Sequence, residues 1–190
     1  MAILCDTCCV LLLIRIAPDM FIDERYNCFT VQEVREEIFQ TQRFKSKYPW
    51  RNNFKRELTP KQFESEIVTS ASLCFDVISK KIESGTLNER NNRFFDLGYK
   101  DKKIVAYALA SKSTLATNDN DMRDFIEQEF DGSCISSLEL LNQWLRYELF
   151  EWNSELHAIL DNWNQNDEPV QPTEDIVEFE RLTKFKYVGP

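Results

Sequence analysis

Short apolar runs alternate with amphipathic stretches along the first 145 residues, and this alternation sets the expected fold. Ala2-Ile3-Leu4-Cys5 is continuously apolar and short, as a strand buried on both faces is. Asp6-Thr7 then starts a helical stretch through Leu12, Leu13 and Ile16, which Pro18 ends. Tyr26-Asn27-Cys28-Phe29 reads as a second strand. A helix follows it, with Val31, Val34 and Ile38 on the buried face. Thr30 with Glu33 three residues on has the form of a capping box. Thr59-Pro60 predicts the cap and first position of a long helix whose apolar side carries Phe63, Ile67, Leu73, Val77 and Ile82, with Gly85 near its end.

The second half repeats the pattern. Asn88 to Asn92 is a polar loop. Asp101 opens a helix whose residues Ile104, Val105, Ala108 and Leu109 share one face. Ser113-Thr114-Leu115-Ala116 is a buried strand, followed at once by Thr117-Asn118-Asp119-Asn120-Asp121. Asp131-Gly132 marks a turn. Ser133-Cys134-Ile135 is a last strand, and Ser136 or Ser137 caps the next helix. That helix is expected to run on to Trp163, because Leu145, Leu149, Trp152, Leu156, Ile159 and Trp163 are spaced 4, 3, 4, 3 and 4. The seam is shorter than a coiled coil needs, so it is expected to pack on the domain's own core, with a subunit interface as the alternative. Asn164 to Thr173 is a polar linker, and the remainder suits helix or strand equally.

Strand–helix repetition predicts an α/β domain with a central parallel sheet of four to five strands and right-handed crossovers. Residues 1–145 form that domain, with a longer, partly basic middle over 43–98. Residues 146–190 form a helical extension and tail. Composition narrows the chemistry. With four glycines there is no GxGxxG and no GxxxxGK[ST], which removes the Gly-rich phosphate loops. A net charge of −9 excludes a general nucleic-acid coat and leaves only a local phosphate-binding surface. The six cysteines are read as reduced thiols, several in core segments, which places the chain in the cytoplasm. Cys5 and Cys8 make one CxxC, too little for a zinc site. The apolar run after Asp6 lacks a basic leader, and nothing reaches the roughly 18 apolar residues of a membrane span.

One local reversal of charge stands out. Arg43, Lys45, Lys47, Arg51, Lys55, Arg56 and Lys61 face a single acid, Glu57, with Phe44, Tyr48, Trp50 and Phe54 interleaved. Such a segment binds phosphates by charge and bases by stacking. Equally, it is a solvated arm whose aromatics pin it to the core. His157 is the only histidine and lies on an amphipathic helix, so it reads as structural and no His-dependent dyad has a second candidate.

The acids carry the sharper hypothesis. Taken singly, Asp6 is a helix cap, and the other acids have similar bland explanations. Taken together they form a series. Asp6 follows the first strand, and Glu37 lies on the helix after the second. Asp101 sits at a helix start, and Asp119 follows the strand at Thr114. An open parallel sheet gathers its functional groups beyond the carboxyl ends of its strands. Among Glu33, Glu36 and Glu37, the last lies about 90° from the centre of the buried face, at its edge, and is preferred; the other two remain open. Crowded carboxylates repel unless a cation compensates, and all-oxygen ligands favour Mg²⁺ or Mn²⁺.

These residues resemble the PIN-domain nucleases over about residues 1–145. The resemblance rests on Ile3-Leu4-Cys5-Asp6-Thr7, on Thr30 through Ile38 with Glu37, on Asp101 ahead of Lys103 to Ala110, and on Thr117-Asn118-Asp119. Gly132-Ser133-Cys134-Ile135 and its Leu-rich helix match the family's closing strand and helix. The resemblance implies a three-layer α/β/α fold and a Mg²⁺- or Mn²⁺-dependent ribonuclease. Asp6, Glu37, Asp101 and Asp119 are then catalytic. Asp6, Asp101 and Asp119 hold the ion with Asp121 as auxiliary, and Glu37 orients water or a second ion. Thr7, Thr117 and Asn118, with Arg43, Lys45, Lys47 and Arg51 of the basic segment, would contact RNA. Many members of the family are toxins of toxin–antitoxin pairs, so an antitoxin or a second copy along the Leu145–Trp163 seam is an expected partner. The longer middle and the extension depart from the compact toxins. A DNA-structure nuclease and a non-catalytic binding module on the same fold are the rival readings. A haloacid dehalogenase-like enzyme is disfavoured because Cys8 stands where that family has a second Asp.

Overall fold

The computed structural model describes residues 1–190 as fifteen regular elements. They are β1 (Ile3–Cys5), α1 (Thr7–Leu13), β2 (Cys28–Phe29), α2 (Gln32–Gln40), α3 (Gln42–Lys47), α4 (Ser65–Glu83), β3 (Leu87–Asn88), β4 (Arg93–Phe94), α5 (Tyr99–Ala110), β5 (Thr114–Ala116), α6 (Asn120–Phe130), β6 (Cys134–Ile135), α7 (Ser137–Arg146), α8 (Ser154–Gln165) and α9 (Thr173–Thr183). Two short 3-10 turns, Glu24–Tyr26 and Pro49–Phe54, supplement them.

Four strands form one parallel sheet in the order β2-β1-β5-β6, flanked by helices. Leu4 pairs with Phe29 on one side and with Leu115 on the other, and Leu115 pairs with Cys134. The central strands β1 and β5 are buried along their whole length, which explains their uninterrupted apolar sequence. From β1 the chain first goes to β2 on one side; it later returns to β5 on the other. The crevice between β1 and β5 is therefore the point where the winding reverses. Ligands of open α/β sheets bind at that point, outside the carboxyl ends of the strands. No helix is long and apolar enough to cross a membrane.

Several expectations are corrected. Thr30 does not cap α2: it is fully buried, its hydroxyl donates to the Cys5 carbonyl, and Val31 takes the cap position without a side-chain bond. The long helix begins at Ser65, not at Thr59-Pro60. The Thr59 hydroxyl donates to Arg56 O, Lys61 N donates to Thr30 O at 2.9 Å, and Phe63 stacks on Tyr107 5.1 Å away. Residues 60–64 thus lie alongside the end of β2, where the pull of that packing exceeds the Thr-Pro start signal. On α4 the buried positions are Ala71 and Ile78, whereas Leu73 and Val77 are exposed. Asn88 to Asn92 is the loop of a small antiparallel hairpin, β3–β4.

The expected helix from Ser137 to Trp163 is two helices. Glu148 takes a left-handed conformation (φ 53°), Leu149 N bonds back to Trp144 O, and Asn153 caps a fresh start through Glu155 N and Leu156 N. The spaced apolar residues still face inward. Trp163 is buried, and Leu145, Leu149, Trp152, Leu156 and Ile159 pack against the main core. The seam is therefore used within the chain and offers no continuous stripe to an antitoxin or a second copy. The tail resolves to helix. The Asp175 carboxylate accepts from Ser136 Oγ (2.6 Å) and its carbonyl from Asn142 Nδ2 (2.8 Å), latching α9 onto the start of α7. Leu160, Trp163 and Phe179 belong to the same core as Leu4, Leu12 and Val105, so residues 146–190 share the hydrophobic core of the first 145.

Candidate active site

Asp6 occupies the turn from β1 into α1. Its Oδ1 accepts from Cys9 N at 2.7 Å, the N-cap bond that the local sequence suggests. Its Oδ2 accepts from the Thr117 hydroxyl at 2.5 Å, across the crevice to the end of β5. Thr117 Oγ1 in turn accepts from Asp119 N at 3.0 Å, and Asp119 caps α6 through Met122 N at 3.1 Å. Asp101 stands in the first turn of α5 and accepts from Gly98 N at 3.1 Å. Glu37 comes from the last turn of α2 and is held by the Thr7 hydroxyl at 2.7 Å. The capping reading and the functional reading thus coexist. For Asp101, Asp119 and Glu37 a structural bond fixes one oxygen and leaves the other without a partner in the chain.

All four carboxylates line one cleft of about 440 Å³ at the β1/β5 crevice. Three of them sit at helix N-termini, where the amide ends favour negative charge. None of the four forms an ion pair with Lys or Arg. Burial, less the hydrogen bonds from Thr117 and Cys9, pushes the Asp6 carboxyl up to about 7, with Asp119 and Asp101 adding repulsion. Burial also raises Asp101, reinforced by Asp119 and Glu37. Unpaired, mutually repelling carboxylates with free oxygens are the donor set that hard divalent cations take. As they stand, no three His, Cys, Asp or Glu side chains are grouped closely enough to hold one metal ion. The acids converge on a cleft, not on a point.

The alternatives to Glu37 turn elsewhere. Glu33 pairs with Lys103 at 3.5 Å, and Glu36 accepts from Gln32 Nε2 on the surface. Asp121 does not line the cleft; it lies among Asp119, Asp124, Asp96 and Asn88, and burial raises its carboxyl. Asn118 is buried behind the site, with Oδ1 accepting from Ser137 N and Nδ2 lacking a partner.

The basic segment divides. Arg43 and Lys47 line the same cleft as the acids, and Lys45 does not. Arg51, expected to contact RNA, is buried: its guanidinium donates to the carbonyls of Ile38, Phe44 and Tyr48 and knits α2 to the segment after it. The aromatics run edge to face, Phe44–Tyr48 at 5.4 Å, Tyr48–Trp50 at 5.7 Å and Trp50–Phe54 at 5.8 Å, and pack on the core. They pin the segment; only Phe44 and Tyr48 reach the cleft.

Comparisons with protein-family models, with curated proteins and with solved structures find no match. The reading of the site therefore rests on its own geometry.

That geometry includes a group the sequence does not signal. Asp167, Glu168 and Pro169, in the linker between α8 and α9, also line the cleft. Glu168 is buried, accepts a very short hydrogen bond from the Tyr48 hydroxyl and pairs with Lys47 Nζ at 3.1 Å. One acid in a polar linker carries no periodicity that would reveal this.

Proposed function

We propose that this chain is a divalent-metal-dependent ribonuclease of PIN-like, three-layer architecture, acting in a reducing cytoplasm. The observation that carries the reading is the set of four carboxylates, delivered by four separate elements to the β1/β5 switch point without one cationic partner. Asp6, Asp101 and Asp119 would hold Mg²⁺ or Mn²⁺. When bound, such an ion supplies a lowered water pKa and charge stabilisation at a phosphodiester.

The chain's own residues do the rest. The Thr117 hydroxyl fixes Asp6 and, through Asp119 N, the start of α6. Thr7 holds one oxygen of Glu37, and the other would accept a proton from water. Arg43 and Lys47, which line the same cleft, hold the nucleic-acid backbone by charge.

The test is cleavage of labelled single-stranded RNA and DNA with Mn²⁺, Mg²⁺ or EDTA, in wild type and Asp119→Asn. RNA cutting that needs metal and disappears in the variant is expected. Cutting that persists in the variant, or silence with every substrate and metal, removes the reading.

A further inference from the structure

The basic part of the cleft already holds an anion, and it belongs to the protein. Glu168 projects from the α8–α9 linker into the cleft, with its side chain 4% exposed. A carboxylate is that deeply buried only where partners compensate its desolvation. Here they are a cation, Lys47 Nζ, and a hydroxyl donor, Tyr48 OH, both on the segment that carries the cleft's positive charge. The Tyr48 ring is itself locked between Phe44 and Trp50, so its hydroxyl is fixed in place. Lys47 lies 5.2 Å from the centre of that ring, and Arg43 lines the same cleft. A cation plus a rigid hydroxyl donor is the complement of a phosphate oxygen as much as of a carboxylate.

The linker meets the cleft wall through this one carboxylate. The backbone N–H groups of Asp167 and Glu168 bond back to Asn164 and Trp163 at the end of α8. Asp167 takes a left-handed φ of 50°. The Glu168 carboxylate makes the only polar side-chain contacts by which residues 167–169 grip the cleft wall.

We propose that Lys47 and Tyr48 form a subsite for a backbone phosphate of single-stranded nucleic acid, and that Glu168 is its internal competitor. Bound substrate displaces the Glu168 carboxylate, and the linker then leaves the wall. The proposal rests on the nuclease reading for its ligand. An occupied subsite weakens apparent affinity by the fraction of time it is open.

The experiment is fluorescence anisotropy with a labelled single-stranded oligoribonucleotide, on the full chain, in Ca²⁺ and in EDTA. Wild type, Glu168→Gln, Lys47→Ala and the double variant are compared. Glu168→Gln keeps an acceptor for the Tyr48 hydroxyl and removes the charge that holds Lys47. It is expected to bind about five- to tenfold more tightly than wild type, and this gain should vanish in the Lys47→Ala background. A second readout needs no variant: amide exchange at residues 166–168 of the wild type should speed up when the oligonucleotide is added.

Unchanged or weaker binding by Glu168→Gln, or slower exchange of the linker on binding, would mean that Glu168 is only a structural latch and overturns the proposal. Wild-type cleavage of the same oligonucleotide with Mn²⁺ separates the two failures. Cleavage with no effect of Glu168→Gln removes the subsite alone. Neither cleavage nor binding removes the nuclease reading with it.

Discussion

The two walls of the cleft are built by opposite means. The acidic wall is assembled largely from strand ends and helix starts, and Asp6, Asp101 and Asp119 are each fixed by a short-range bond before they meet the others. Only the Thr117–Asp6 and Thr7–Glu37 contacts join distant parts of the chain. The basic wall depends on tertiary packing. Arg43 and Lys47 face the cleft because Arg51 and an edge-to-face chain of aromatics hold α3 in place, and because a linker 120 residues after Tyr48 closes against it. One wall is fixed by local backbone geometry, and the other only by the completed fold. Changes on the acidic wall should therefore alter chemistry with the fold intact, and changes behind the basic wall should alter the fold.

The largest expected effect breaks the acidic wall alone. Asp119→Asn retains an acceptor for Met122 N, so thermal unfolding should move little. RNA cleavage should fall by about a thousandfold or more, as when an enzyme loses a metal-holding group. Cleavage rates and melting temperature measured together decide it; a fall in both together would assign Asp119 to folding.

Next is the bond between the walls of the crevice. Thr117→Val leaves Asp6 and Asp119 in place but removes the hydroxyl that ties them. Activity should drop about 10- to 100-fold. Chemical denaturation should show a loss of about 1–3 kcal/mol from the unsatisfied buried groups.

Third comes the contrast within the basic segment. Arg51→Ala should cost about 2–4 kcal/mol of stability, because a buried guanidinium that bonds three carbonyls is removed; Phe44 O and Tyr48 O keep a backbone donor. Arg43→Ala should leave stability unchanged and weaken oligonucleotide binding severalfold, lowering the salt slope by about one. Equal destabilisation by the two substitutions would contradict the division drawn here.

The last effect is a pH dependence. Asp6 ionises near 7 in the folded chain against an ordinary 3.8, chiefly because it is buried. Below 3.8 its protonated form incurs no penalty. Between those values the unfolded chain gives up the proton first, so stability is lost as pH rises through about 7. Replacing Asp6 with Asn should remove that loss. Relative to wild type the variant should therefore gain on the order of 2–4 kcal/mol between pH 4 and pH 8 without metal, read by denaturation at each pH. A constant difference across the range would count against the buried, repelled carboxyl.

Legibility in the sequence follows the same division. β1, β5 and the acids behind them could be read because a buried parallel strand is short and apolar and a capping acid must follow it at once. Glu37 could be chosen over Glu33 and Glu36 from its position at the edge of the helix face, and it is the one that lines the cleft. What could not be read depends on contacts between distant residues. Arg51 and Arg43 look alike until the fold buries one. Thr59-Pro60 is a good helix start that loses to packing beside β2. The regular spacing from Leu145 to Trp163 survives a break in the helix because both halves face the same core. Glu168 has no local signature at all.

The central claim is that Asp6, Asp101 and Asp119 would hold a divalent ion beside Glu37, and calorimetric titration of Mn²⁺ into wild type and Asp119→Asn tests it most directly. The account predicts saturable binding to the wild type with release of protons from Asp6 near neutral pH, and binding weakened by at least about tenfold in the variant. Absence of binding to the folded wild type, or equal affinity in both proteins, would contradict it.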